Sequence, residues 1–261
     1  MRLHLRKLSR FLLASSILAI SLSPINAGAL STFKVSESKV WGHTYAGKSQ
    51  GVPSTRPPKV AYVEAKARFV VNYKNFPEWA KKDFQAAVDI WSQYFSSVVP
   101  IKIDATFGRS ASYGVLGSAR PGNYFSGFDG APDQSLWYPS ALANALAGKD
   151  LEPDNPEMII QVNSAANWNT RNDGTPKSTE YDLQSVFLHE IAHGLGFLST
   201  DSYDPFFGYG TIEQPTPYAA YAQLPDGRRL SDLPSPSLEL GKALTSQLVW
   251  SRPSGTAANG G

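Results

Sequence analysis

His189, Glu190 and His193 form the pattern His-Glu-x-x-His inside the run LQSVFLHEIAHGLGF. On an α-helix the two histidines stand four positions apart, so both imidazoles project from one face, one turn apart. Two nitrogen ligands at that spacing suit a tetrahedral Zn²⁺, and Glu190 stands beside them, where it can accept a proton from water. A third protein ligand would leave the fourth position for that water, whose pKa zinc lowers to ~7 while polarising a scissile carbonyl. Glu190 would take the proton during attack and deliver it to the leaving amine. The pattern therefore predicts peptide-bond hydrolysis, with His189 and His193 as metal ligands and Glu190 as general base.

The surroundings strengthen this reading. Leu183, Phe187, Leu188, Ile191, Ala192 and Leu195 make the segment strongly apolar, so two histidines and a glutamate on it need partners or a function. Val186, His189, Glu190 and His193 are expected to bear on a cleft. Asp182 is an acceptable N-cap and the helix should run to about Leu195, where Gly194 and Gly196 end it and let the chain pass close to the metal.

The elements that must position this helix are legible in part. Residues 67–73 (ARFVVNY) read as a strand. Residues 77–97 read as a long helix whose apolar positions, among them Phe84, Ala87, Val88, Trp91 and Phe95, recur at three- and four-residue intervals. Pro100 stops it, and residues 101–107 (IKIDATF) read as a second strand, parallel to the first as in a βαβ unit. Residues 108–140 are rich in Gly, Pro and aromatics and read as a long loop, with a short strand at 114–119. That loop could form a cleft wall, a structural Ca²⁺ site using Asp129 and Asp133, or an irregular segment packed by its own aromatics. Residues 140–147 should be a short helix ending at Gly148. Residues 157–162 (EMIIQV) read as a strand suited to the sheet edge where a peptide adds. Asn172-Asp173-Gly174 is a turn, the region after Phe197 is loop-rich, and a last short helix is expected over 237–248.

Composition bounds the rest. With 261 residues, 42% hydrophobic and 18% charged, the chain can bury a substantial core. Residues 1–27 resemble a cleavable secretory leader: Arg2, Arg6, Lys7 and Arg10 precede an apolar run at 11–22 too short to span a membrane, and small residues follow. That predicts an exported protein, secreted or periplasmic, with no membrane attachment after cleavage. Four of the 24 basic residues lie in this leader and none of the 22 acidic ones, so the remainder carries a small net negative charge and no nucleic-acid partner is expected. The absence of cysteine excludes disulfides and thiolate metal sites. Residues 28–59 read as an extended N-terminal arm or linker with little structure of its own. The arm carries His43, the one histidine outside both the leader and the central motif, and a histidine in such a segment is expected to be solvated.

The segment from His189 to Phe197 resembles the zincin superfamily. Within it the segment matches the metzincin pattern HExxHxxGxxH through Gly196, with Ser199 at the place of the third histidine. It is also similar to the leishmanolysin-type pattern, in which the third histidine follows an insertion. More broadly, the runs FPEWAKKDFQAAVDIWSQYFSSVVPIKIDATF, GVLGSA, WYPSALANALAG and LHEIAHGLGF resemble exported bacterial zincin-like proteins, some carrying a protease-associated domain. The resemblance covers most of residues 60–250. It implies an α+β fold: a zincin-like catalytic domain over 60–261, with a mixed twisted sheet, a long backing helix, the active-site helix and a loop-rich C-terminal part. It further implies a Zn²⁺ cofactor and a protein or peptide substrate.

No histidine follows His193, and the only methionines, Met1 and Met158, precede the motif, whereas metzincins place a methionine turn after it. Asp201, Asp204, Glu213 and Glu239 are the candidate oxygen ligands. Glu213 lies at about the separation of thermolysin-like gluzincins, but Pro215 and Pro217 argue against the helix those proteins use. Alternatively the third ligand is a histidine further downstream: related chains continue past LVWS with a His and a Met, which would make this chain a C-terminally truncated form. The competing functions are a catalytically silent or truncated zincin-fold binding protein, and a surface-binding module using the aromatic loop region.

Overall fold

A computed structural model describes residues 33–46 and 66–251. The predicted leader and part of the predicted arm lie outside the described residues. The described part of the arm is more ordered than its composition predicts, because both its strands find partners far away in sequence. β1 (Lys34–Glu37) and β2 (Gly42–Tyr45) pair antiparallel with later strands.

The predicted βαβ unit is present. β3 (Phe69–Lys74), α1 (Glu78–Tyr94) and β4 (Ile101–Gly108) follow in order, and β3 and β4 pair in parallel from Phe69 opposite Ile101 to Lys74 opposite Thr106. α1 buries Ala80, Phe84, Ala87 and Val88, a stripe at helical spacing that must face an apolar surface. On β4 the alternation puts Ile101, Ile103 and Ala105 into the core and Lys102 and Asp104 on the other face.

Residues 108–140 contain more regular structure than a loop. β5 (Val115–Pro121), β6 (Asn123–Ser126) and β7 (Tyr138–Pro139) are followed directly by α2 (Ser140–Ala147), which Gly148 terminates at φ 65° as expected. Phe125, Phe128, Tyr138 and Ala143 form a small second core there, with β1, β6 and β7 making a three-stranded sheet. The aromatics that suggested a loop are the strand and turn residues of this layer. Asp133 accepts from the Ser135 amide and hydroxyl at 2.9 and 2.6 Å.

The strand predicted at 157–162 exists as β8 (Met158–Asn163), but it is not an edge. The main sheet has the order β2-β5-β8-β4-β3, so β8 pairs with β4 in parallel and with β5 antiparallel. Met158, Ile160 and Val162 are buried accordingly. The position flanking β8 belongs to β5, and β2 forms the outer strand.

α3 (Leu183–Leu195) packs with α1 on the core side of this sheet. The Asp182 carboxylate accepts the Ser185 amide at 2.9 Å, the capping bond predicted from sequence. Gly196 closes the helix at φ 117° while Gly194 lies within it, against Met158. Phe84 and Phe187 meet with ring centroids 4.4 Å apart, and Trp91 Nε1 donates to the Leu188 carbonyl at 3.0 Å, so two contacts fix α3 on α1.

The loop before α3 is held by charge. Arg171 donates to Glu180 through both terminal nitrogens, at 3.0 and 2.7 Å, and through Nε to Asp173 at 3.1 Å. Asn172 Nδ2 joins this loop to α1 through the Trp79 carbonyl and Asp83. Arg171, then the Lys177 amide, hold the Glu180 carboxyl down at about 2. The stabilisation is therefore complete above the ordinary glutamate value of about 4.3 and is lost as pH falls towards the folded-state value. Urea midpoints measured from pH 5 down to about pH 2 should fall more steeply for the unaltered chain than for Glu180→Gln. Parallel profiles would show the Arg171 fork to contribute nothing.

The C-terminal part contains β9 (Ser202–Tyr203), β10 (Gly210–Thr211), β11 (Ala222–Gln223), α4 (Leu238–Leu244) and β12 (Val249–Trp250). β9 pairs with β10 and β11 with β12, and Leu230, Leu233, Leu240 and Ala243 form its own small core. The last helix is shorter than predicted and starts from a Ser237 cap at Leu240 N, 2.9 Å away. Among the described residues no helix is long and apolar enough to cross a membrane.

Candidate functional site

The helix spacing brings the two predicted ligands together. His189 Nε2 and His193 Nε2 lie 2.8 Å apart, with the rings perpendicular and their centroids 4.5 Å apart. His193 Nδ1 lies 2.8 Å from the Phe197 carbonyl oxygen. A carbonyl only accepts, so Nδ1 carries a proton, and this bond favours the tautomer whose lone pair is at Nε2. That lone pair can take a hydrogen bond from His189 or bind a cation together with the His189 nitrogen. A backbone carbonyl fixing the tautomer and orientation of a ligating ring is the support a metal-binding histidine needs. His189 is exposed, and partial desolvation of its ring and then the charge on His193 hold its pKa below the ordinary value. A proton is therefore easily displaced from it. The two nitrogens could supply half of a metal site.

Glu190, the next residue after His189, is fully buried. Its Oε1 accepts two hydrogen bonds from Thr44 on β2, from Oγ1 at 2.6 Å and from the backbone amide at 3.1 Å. Its Oε2 is buried with no hydrogen-bond partner. Burial pushes the Glu190 carboxyl up to about 7, against the opposing pull of the two Thr44 bonds. A carboxyl poised there can both take and return a proton near neutral pH. The helix approaches the sheet closely: a Cβ on Gly117 of β5 would come within 2.9 Å of Glu190 Oε1, and a Cβ on Gly42 of β2 within 2.2 Å of the His193 ring. Val186, expected to line a cleft, is buried beside Gly117 in the core.

The candidate third ligands are placed elsewhere in the fold. Asp204 accepts from the Phe206 and Phe207 amides at the β9–β10 turn, and Glu213 receives the Ser202 hydroxyl at 3.4 Å. Glu239 pairs with Arg228 at 2.9 Å. Asp201 lines a cavity of about 680 Å³ bounded by Tyr138, Ile212 and Leu230, and burial raises its carboxyl. Among the described residues no group of three His, Cys, Asp or Glu side chains gathers as a metal cage, whether for zinc or for calcium at Asp129 and Asp133.

One residue of the arm enters the site unforeseen: Thr44 hydrogen-bonds Glu190. His43 is exposed, as the sequence predicts, and partial desolvation, then the charge on His193, lower its pKa. The short stretch Gly42-His43-Thr44 carries no local signal of this role, because the Glu190 partner of Thr44 lies 146 positions away.

The fold and site define a mixed α+β protein with a His-Glu-x-x-His helix packed under a five-stranded mixed sheet. A family model described as SPBPB7E8-like matches residues 73–215, and the chain belongs to that family. The matched stretch holds β4, β5, β8, α1 and all of α3 but excludes the arm with β1 and β2. No curated protein and no solved structure matches the chain.

Proposed function

We propose that this chain is an exported zinc-dependent metallopeptidase of the zincin type, with protein or extended peptide as substrate. The observation that carries the reading is the convergence of His189 Nε2 and His193 Nε2 at 2.8 Å on the turn that also carries Glu190. His189 and His193 would hold the metal, with the Phe197 carbonyl keeping the His193 ring in its ligating tautomer. Zinc, when bound, supplies Lewis-acid polarisation and acidifies water. Glu190 would accept a proton from water and return it to the leaving amine, with Oε2 the oxygen that no group in the fold already bonds. β5 is the strand beside α3, and an extended peptide would pair along it only where β2 has left that edge. Export rests on the leader-like residues 1–27.

A second reading, a catalytically silent zincin-fold binding protein, is favoured by the candidate acidic ligands lying away from the histidine pair. Zinc titration by calorimetry, followed by casein hydrolysis with and without chelator, separates the two. The unaltered chain should take up one zinc, which the double variant His189→Ala/His193→Ala should lose, and chelator should abolish hydrolysis. Zinc uptake without hydrolysis would favour the silent protein. Uptake unaffected by the double variant would remove the basis for both.

A further inference from the structure

The arm strand β2 lies where the chemistry would take place. It pairs antiparallel with β5, with Gly42 opposite Ala119, His43 opposite Ser118 and Thr44 opposite Gly117. Along an extended strand alternate residues share a face. Gly42 and Thr44 face α3: Gly42 sits against the His193 ring, and Thr44 gives both its amide and its hydroxyl hydrogen to Glu190 Oε1. His43 and Tyr45 face away, both exposed, with ring centroids 5.8 Å apart. β2 thus makes the contacts of an extended peptide added to the sheet edge, and two of its residues meet the two groups on which hydrolysis would depend. No side chain fits at position 42 without displacing β2 or the His193 ring, so the strand sits deeper than a peptide bearing a side chain there could.

We infer that Gly42–Tyr45 is an intramolecular inhibitor of the site, an arm segment bound as a substrate would be, whose departure opens the edge of β5 to an extended peptide. The inference rests on the peptidase reading above. With the arm seated, Glu190 Oε1 is held by Thr44 and the β5 edge is already paired, so a substrate strand has no backbone groups to bond. Only molecules with the arm displaced bind substrate, and apparent affinity falls by that fraction.

The test uses the full chain. Gly42→Val places a branched side chain against His193 and should unseat β2, raising kcat/KM on an extended peptide by about tenfold or more. Thr44→Val keeps the shape of the side chain and the strand propensity but deletes the hydroxyl bond, so it should raise kcat/KM in the same direction by less. It serves if Gly42→Val does not fold, as judged by its urea midpoint. A synthetic peptide of residues 40–46 (VWGHTYA) should inhibit the Gly42→Val protein competitively, and its threonine-to-valine version more weakly. Zinc uptake with hydrolysis unchanged or lowered in both variants would overturn the inhibitory role and make β2 an integral part of the site, leaving the peptidase reading in place. Absence of zinc uptake in every protein would overturn that reading and this inference together.

Discussion

Glu190→Gln is expected to bind zinc as the unaltered chain does and to hydrolyse casein about 10²–10⁴ times more slowly, the range that a positioned general base contributes. The substitution preserves almost everything except proton transfer. Glutamine matches glutamate in volume, so no cavity opens beneath Gly117, whose approach to Glu190 leaves no slack. Its amide oxygen can accept the same two Thr44 hydrogen bonds at the place of Oε1. The amide nitrogen would take the place of Oε2, so one unpartnered buried acceptor is exchanged for unpartnered N–H donors at the same place. What is lost is a carboxyl that burial sets at about 7, and with it a group that can exchange a proton near neutral pH. The zinc titration guards the interpretation, because the substitution leaves both proposed ligands, His189 and His193, in place. Equal turnover in the two proteins would mean that Glu190 is a structural hydrogen-bond acceptor for the arm and nothing more.

The largest expected loss of stability comes from Phe187→Ala, about 3–5 kcal/mol. Phe187 is fully buried, its ring 4.4 Å from Phe84 and 6.1 Å from Phe76 between centroids, so it joins α3 to α1 and to the segment that opens α1. Truncation removes transfer energy and leaves a void that the sheet on one side and α1 on the other cannot close. For a described region of this size the loss corresponds to a melting-temperature decrease of about 6–20 °C. Because Phe187 lies on the turn preceding His189, zinc affinity should weaken in parallel as α3 loses its rigid seat. A loss below about 1 kcal/mol would show that α3 is anchored by other contacts, the Trp91 bond to the Leu188 carbonyl first among them. Comparison with Leu188→Ala, a partly buried neighbour, separates packing at position 187 from a general sensitivity of the helix.

The features legible without any structure are those that depend on neighbours a few residues away. Helical periodicity alone places His189 and His193 one turn apart, and their nitrogens do converge. The Asp182 cap, the Gly196 terminus, the Gly148 terminus of α2 and the parallel strand-helix-strand unit follow from the same short-range rules of capping, backbone freedom and connection handedness. What the tertiary structure alone decided is who stands next to whom across long separations. EMIIQV reads equally as an edge or a central strand, and its central place between β4 and β5 comes from pairing partners about 40 to 55 residues away. The short strand expected at 114–119 is β5, but the loop-like composition of the rest of 108–140 hid β6 and β7, because aromatic residues pack there into a second core with α2 rather than alternating towards water. The arm lacks periodicity of its own, so its strands exist only through β5 and β6. Thr44 meets Glu190, and Gly42 meets His193, because a sheet edge folds back over a helix nearly 150 residues later. Hydrogen bonding and close packing act at a few ångströms in space, whereas the order of residues along a chain constrains only the nearest few.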